Sequence, residues 1–122
     1  MSELEDRLAI QDVMTRYAAG VDDRDFEQYR GCFADDVEIV GFGGDPVIGA
    51  DRWTEDVKGK LAVFGQTQHM LGPQLVSIEG DKASARTDVQ ALHYMADDPE
   101  TTLILWATYF TDLKREGTGW KI

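Results

Sequence analysis

His69 and His93 are the only two histidines in the chain, so any imidazole chemistry must run through them. Imidazole changes its charge near neutral pH and serves both as proton acceptor and as proton donor. A histidine works as a general base when a carboxylate fixes its tautomer and stabilises its charged form. Asp22 is a candidate for that partner, because it falls near the end of the first predicted helix and can point into a pocket mouth. Asp23 and Asp25 beside it read as helix-capping and turn residues. The lone Cys32 has no base nearby in sequence and reads as a small buried residue rather than a nucleophile. No GxGxxG, P-loop or CxxC pattern is present, and Gly41-Phe42-Gly43-Gly44 reads as a loop.

The strands that carry the histidines decide whether they can meet. Over residues 82–95 the odd positions are Ala83, Ala85, Thr87, Val89, Ala91, His93 and Met95. Side chains alternate along a strand, so this small, apolar set shares one face, which is expected to be concave. His93 stands on it with room beside its ring. His69 shares a face with Thr67 and Leu71, against Gln66, Gln68 and Met70 on the other; neither face is cleanly apolar. Gly72-Pro73 is expected to end or bulge that strand.

The remaining elements follow from periodicity. Leu4, Leu8, Ile10, Val13, Met14, Tyr17 and Ala18 predict a helix over 3–20, started by Ser2 with Glu5 and stopped at Gly20. A second helix is expected over 25–33, capped by Asp22 or Asp23, and a third over 49–64 carrying Trp53, Val57 and Leu61. Residues 37–42 read as a short strand before a Gly-Pro turn. Strands are expected over 66–79, 82–95, 101–115 and 118–122, separated by Gly80-Asp81, Asp97-Asp98-Pro99 and Gly117/Gly119. Helices first and a strand meander second predict an α+β domain spanning 1–122, with three helices packed on one face of a curved antiparallel sheet. The last strand stops abruptly, as in a domain that lacks a C-terminal tail. Such a sheet encloses a conical pocket suited to a small hydrophobic molecule. The expected lining is Val13, Leu61, Val89, Ala91, Met95 and Trp106.

Composition narrows the partners. The 122 residues carry a formal charge of −11, which opposes binding to nucleic acid or anionic membranes. No apolar run reaches the ~20 residues of a membrane span, and the acidic N-terminus lacks a signal-peptide core. A single cysteine and no leader predict a cytoplasmic protein.

Three segments carry a resemblance. Tyr17-Ala-Ala-Gly-Val-Asp22-Asp-Arg-Asp25-Phe, Thr67-Gln-His69-Met-Leu-Gly72, and Tyr109-Phe-Thr-Asp with Gly119-Trp120-Lys121-Ile122 resemble the SnoaL-like branch of the NTF2-like superfamily. The similarity extends over essentially the whole chain, and Asp22 with Thr-Gln-His69 is its most specific part. It implies a cone-shaped α+β barrel and a homodimer or homotrimer. Scytalone dehydratase and the lindane dehydrochlorinase, in the same superfamily, are cofactor-free lyases that use an Asp–His base. By that resemblance Asp22 and His69 fall on the dyad and His93 on a second active-site histidine of the dehydratase. The pattern departs where the dehydratase has tyrosines, at Val21 and near Gly41, and where it has an asparagine, at Tyr109. Scytalone is therefore not the expected substrate, and Tyr17 and Tyr109 are candidates to supply the missing hydroxyls.

The function expected is proton abstraction from carbon by His69 held by Asp22, with elimination as the leading reaction. Isomerisation or cyclisation in the same pocket, and a non-catalytic binding module, are the alternatives. Two histidines and a carboxylate also match the composition of an iron-binding triad. They come from three separate elements without ligand spacing, so no metal or cofactor is expected.

Overall fold

The structure, a computed structural model, describes residues 2–122. Its elements in chain order are α1 (Glu3–Asp22), α2 (Phe26–Gly31), β1 (Glu38–Ile39), β2 (Val47–Ile48) and α3 (Ala50–Leu61). They continue as β3 (Phe64–Leu71), β4 (Leu75–Glu79), β5 (Lys82–Met95), β6 (Thr102–Glu116) and β7 (Gly119–Lys121). The three helices pack on one face of a curled antiparallel sheet. β5 is its spine, pairing with β6 on one edge and with β3 and then β4 on the other; β7 adds beyond β6.

Ser2 Oγ accepts the Glu5 N–H at 3.1 Å, and Glu3, Glu5 and Asp6 place negative charge on the positive end of the α1 dipole. Ile10, Met14, Tyr17, Ala18 and Val21 form the buried stripe. Gly20, expected to stop α1, lies inside it. A Cβ there would meet the Tyr29 backbone at 3.0–3.1 Å, so Gly20 lets α2 approach α1 closely. The helix ends two residues later at Asp22. The turn is made by Arg24, whose φ of 55° is the one positive value outside glycine among the described residues. Such a conformation costs a residue with a Cβ about 1–2 kcal/mol. Asp25, rather than Asp22 or Asp23, caps α2 by accepting the Gln28 N–H at 3.1 Å. Asp22 is thereby free for another task.

The strand expected over 37–42 shortens to Glu38–Ile39 and pairs with Val47–Ile48. Gly41, Gly43 and Gly44 all have positive φ, which a continuing strand does not allow. α3 ends at Leu61 because Phe64 is already drawn into β3. The single strand expected over 66–79 is two, split at Gly72–Gln74, because Pro73 cannot donate to the ladder.

On β5, Ala83, Ala85, Thr87, Val89, Ala91 and His93 are all buried, while Ser84, Arg86, Asp88 and Gln90 are exposed. The inner face is therefore the odd one. Two buried clusters lie against it. One joins Tyr17, Val21, Tyr29, Phe33, Trp53 and Leu61; the other joins Ile10, Ala83, Ala85, Leu113 and Trp120. Trp53 Nε1 donates to the Tyr29 hydroxyl at 2.9 Å within the first. The second is tied by Asp6, which accepts from Arg115 Nη1 and Nη2 at 2.8 and 3.0 Å and from Trp120 Nε1 at 3.0 Å. Ile122 ties the β7 end of the sheet to the segment after α2, its N–H donating to Cys32 O and its carbonyl accepting from Ala34 N–H.

Candidate active site

The site forms where the C-terminal end of α1 meets the start of β3. β3 pairs with β5 so that Phe64 stands opposite Met95 and Thr67 opposite His93. Two residues on β3, Gly65 and Gln66, thus oppose one on β5, Tyr94, which makes a β-bulge. Without that extra residue, Phe64 and Thr67 would point to opposite faces. With it, Phe64, Thr67 and His69 all turn inward, which the parity of the sequence alone left open.

Asp22 accepts three hydrogen bonds. Its Oδ1 takes the Thr67 hydroxyl at 2.9 Å and the His69 ring Nδ1 at 2.7 Å, and its Oδ2 takes the His69 backbone N–H at 2.7 Å. The same residue thus fixes both the strand and the ring. The side chains keep 18% exposure for Asp22 and 10% for His69. Burial by itself pushes the Asp22 carboxyl up, but the hydrogen bonds from His69 and Thr67 outweigh it and hold the group below its ordinary value. Asp22 is therefore ionised at neutral pH. An ionised carboxylate only accepts, so His69 carries its proton on Nδ1 and its Nε2 is the free, basic nitrogen.

His93 packs edge-on to His69, ring centroids 5.7 Å apart, and against Phe64 at 4.6 Å. Its Nδ1 lies 3.2 Å from the Leu103 carbonyl oxygen. A carbonyl cannot donate, so His93 also carries its neutral proton on Nδ1. It can donate from Nε2 only as an imidazolium.

Tyr17 and Tyr109 stand on the α1 side of this pair, rings 5.6 Å apart, with Tyr29 and Phe33 packed on Tyr17 at 5.0 and 6.0 Å. Burial raises both phenols above the usual tyrosine value, Tyr17 strongly. Both are therefore neutral hydroxyls that can donate. Tyr109 faces inward and not the outer side of the sheet. Phe42, from the glycine-rich loop after β1, bridges Trp53 at 5.1 Å and Tyr109 at 6.2 Å. Beyond it lies a cavity of ≈ 280 Å³ lined by Ile39, Phe42, Trp53, Arg52 and Lys60 among others, without Asp22, His69 or His93.

Of the expected lining residues, Val89 and Ala91 lie buried on the inner face of β5, and Met95 is half-buried opposite Phe64. Leu61 and Val13 sit within the helical core. Trp106 does not line the interior. It pairs with Gln90 on the even, outer face and is 73% exposed. The inner positions of that part of β6 are Leu103 and Leu105, opposite His93 and Ala91. Trp106 is large and aromatic, but strand parity, not size, decides the face it takes.

Three further residues went unassigned in the sequence. Thr67 is buried and holds Asp22. Arg24 donates to Thr67 Oγ1 at 2.9 Å. Thr87 is wholly buried on the inner face, opposite Tyr109, and its Oγ1 has no hydrogen-bond partner among the described residues. Thr67 shares the parity of His69 and belongs to the Thr67-Gln-His69 segment that carries the resemblance, the two sequence signals that pointed to it. Among the described residues no three His, Cys, Asp or Glu side chains are grouped to hold a metal ion.

Comparison with known proteins agrees with this fold. Residues 2–122 match the SnoaL-like domain family. An uncharacterized protein of Mycobacterium tuberculosis is 30% identical over 128 residues, covering all of this chain and 84% of its own. A solved structure of a candidate aromatic ring hydroxylase from Novosphingobium aromaticivorans superposes with a TM-score of 0.87 at 31% identity, covering 99% of this chain and 86% of its own. A candidate scytalone dehydratase from the same organism superposes with a TM-score of 0.87 at 23% identity, over 97% of this chain and 79% of its own. That likeness is one of fold, the NTF2-like half-barrel. The chain belongs to the SnoaL-like domain family.

Proposed function

We propose that the protein is a cofactor-free proton-transfer enzyme, a lyase of the dehydratase type, acting on a small hydrophobic cyclic molecule. The observation that carries this reading is the Asp22 carboxylate on His69 Nδ1 at 2.7 Å, held in place by the Thr67 hydroxyl and the His69 backbone N–H. A carboxylate so held orients the imidazole and stabilises its charged form. His69 Nε2 takes a proton from carbon beside a carbonyl. The electron pair of that C–H bond forms the new double bond as the C–O bond to the departing hydroxyl breaks. The leaving oxygen takes a proton from the His93 imidazolium or from the Tyr109 phenol, and water is released. A positioned base contributes about 10²–10⁴-fold, and a donor at the leaving oxygen supplies a further share. Support by analogy comes from the fold shared with the candidate scytalone dehydratase.

The test is proton exchange in D₂O with a panel of cyclic ketones, enones and β-hydroxy carbonyls, followed by NMR and mass spectrometry. Deuterium uptake or water loss that disappears in His69→Ala is the expected result. Exchange without water loss would indicate isomerisation or cyclisation by the same base. Binding without any exchange would replace this reading with a ligand-binding module.

A second copy of the chain covers the outer face of the sheet. Met70 on β3 and Trp106 on β6 flank Gln90 of β5, and Leu75 on β4 and Phe110 on β6 flank Arg86 of β5, with Trp106 73% and Phe110 81% exposed. Large exposed apolar side chains grouped on one sheet face mark interfaces. Sedimentation of Trp106→Glu is expected to show a monomer where the unaltered protein is a dimer or trimer; an unaltered protein that already sediments as a monomer refutes the assembly.

A further inference from the structure

We propose that Arg24 is a positioning residue for the Asp22–His69 pair and acts through the Thr67 hydroxyl. The inference rests on the reading of that pair as the reacting base. Arg24 stands in the left-handed turn between α1 and α2, a conformation that glycine adopts freely and arginine does not. The conformation sends its side chain back beneath the end of α1. There Nη1 donates to the Val21 carbonyl at 2.6 Å and to Thr67 Oγ1 at 2.9 Å, while Nη2 donates to the Gly65 carbonyl at 2.6 Å. Gly65 lies in the bulge of β3. One guanidinium thus joins the last turn of α1 to the irregular stretch of strand that turns Thr67 and His69 inward. Its partners are two carbonyls and one hydroxyl, with no carboxylate among them.

The direction of the proton at Thr67 follows from what each group can do. A guanidinium only donates, so Thr67 Oγ1 must accept from Arg24. A hydroxyl has one proton, and an ionised Asp22 only accepts, so that proton goes to Asp22 Oδ1 at 2.9 Å. The chain runs Arg24 to Thr67 to Asp22, and Asp22 meets His69 Nδ1–H from the other side. With Arg24 in place the Thr67 rotor has a single satisfied orientation. Asp22 Oδ1 is then fixed for the ring. Without it the hydroxyl can turn away, Asp22 loses a donor, and the preference of His69 for the Nδ1–H tautomer weakens. The charged and titratable groups that face His69 are Asp22 from α1, Arg24 behind Thr67, His93 from β5, and Tyr109 near Asp22 from β6.

The experiment reads the tautomer of His69 by ¹⁵N imidazole shifts at a pH where both histidines are neutral, in the intact chain without substrate. Arg24→Gly is the main variant, because glycine keeps the turn while removing the side chain. Thr67→Val removes the hydroxyl at constant shape, and Arg24→Lys keeps one donor. The expected result is Nδ1–H in the unaltered protein and loss of that preference toward Nε2–H in Arg24→Gly. Thr67→Val should lose it to the same extent, the double variant should go no further, and Arg24→Lys should recover part of it. A role in stability alone would lower the melting temperature and leave the tautomer ratio of the folded protein unchanged. The proposal is overturned if Arg24→Gly keeps the unaltered ratio, or if the effects of Arg24→Gly and Thr67→Val add. Should Arg24→Gly fail to fold, Arg24→Lys and Thr67→Val decide between the same outcomes. An unaltered protein whose His69 is already Nε2–H would refute the Asp22–His69 base itself, which separates the two failures.

Discussion

Replacing Asp22 by Asn changes two atoms' worth of chemistry and nothing of the shape. The carboxylate offers acceptors at both oxygens; an amide offers one acceptor and one donor. If the amide oxygen takes the Oδ1 position, it still accepts from Thr67 and His69 Nδ1, but its NH₂ then faces the His69 N–H that lay 2.7 Å from Oδ2. Two donors at that distance repel. If the amide turns over, the N–H of His69 is satisfied and the NH₂ faces the imidazole at the 2.7 Å contact. His69 must then present a lone pair at Nδ1 and carry its proton on Nε2, where the base is needed. In the first orientation a donor is left unsatisfied, at a cost of about 1–3 kcal/mol. The low end applies because Asp22 retains 18% exposure. In the second the base is lost, and with it a factor of about 10²–10⁴, equivalent to ~3–5 kcal/mol of barrier. The carboxylate's stabilisation of the imidazolium disappears in both. Deuterium exchange into the best substrate of the panel, ¹⁵N shifts of the His69 ring and urea unfolding measure the three effects together. The expected outcome is a fall in exchange by at least ~10²-fold with a modest loss of stability. An Asp22→Asn protein that exchanges at the unaltered rate, with His69 still protonated at Nδ1, would show that the carboxylate neither selects the tautomer nor supports the charge.

Three further outcomes follow from the same contacts. Asp6 is held at about 2 by hydrogen bonds from Arg115 and Trp120. A carboxyl depressed in the folded state adds stability above its ordinary value of 3.8, and that stability is lost as the pH falls toward 2. Asp6→Asn should therefore be less stable at neutral pH and lose less between pH 4 and 2, measured by urea midpoints across that range. Gly20→Ala gains up to ~1 kcal/mol of helix propensity but sets a Cβ 3.0 Å from the Tyr29 backbone nitrogen. Backbone cannot swing aside, so net destabilisation of about 1–3 kcal/mol is expected, and a raised melting temperature would refute the close approach. The Cys32 thiol is buried and pushed up to about 11 by that burial, so it should react with thiol reagents only as fast as the protein opens. Rapid labelling of the native protein would contradict its placement.

The sequence by itself determined that three helices precede and accompany an antiparallel sheet, and it determined the faces of β5. Alternation over 82–95 needs no partner to be read, because a sheet with one buried face accepts only one register of apolar side chains. α1 was legible for the same reason, and so was the suitability of Asp22 and the two histidines for proton transfer. What tertiary structure decided was where irregular backbone occurs. Gly20 looked like a stop and is instead a contact point, since only the approach of Tyr29 gives a glycine inside a helix its use. The bulge at Gly65-Gln66 turned Phe64, Thr67 and His69 inward together, and an inserted residue in a strand leaves no mark in hydrophobic periodicity. Trp106 points outward for a related reason: size says nothing about parity, and only pairing with Gln90 fixes the face. Arg24 was invisible to sequence reading because its partners, Gly65 and Thr67, lie 41 and 43 residues away. Residue types reveal which groups can move a proton. Which of them meet depends on a turn and a bulge, and those are settled only when helix and strand pack against each other.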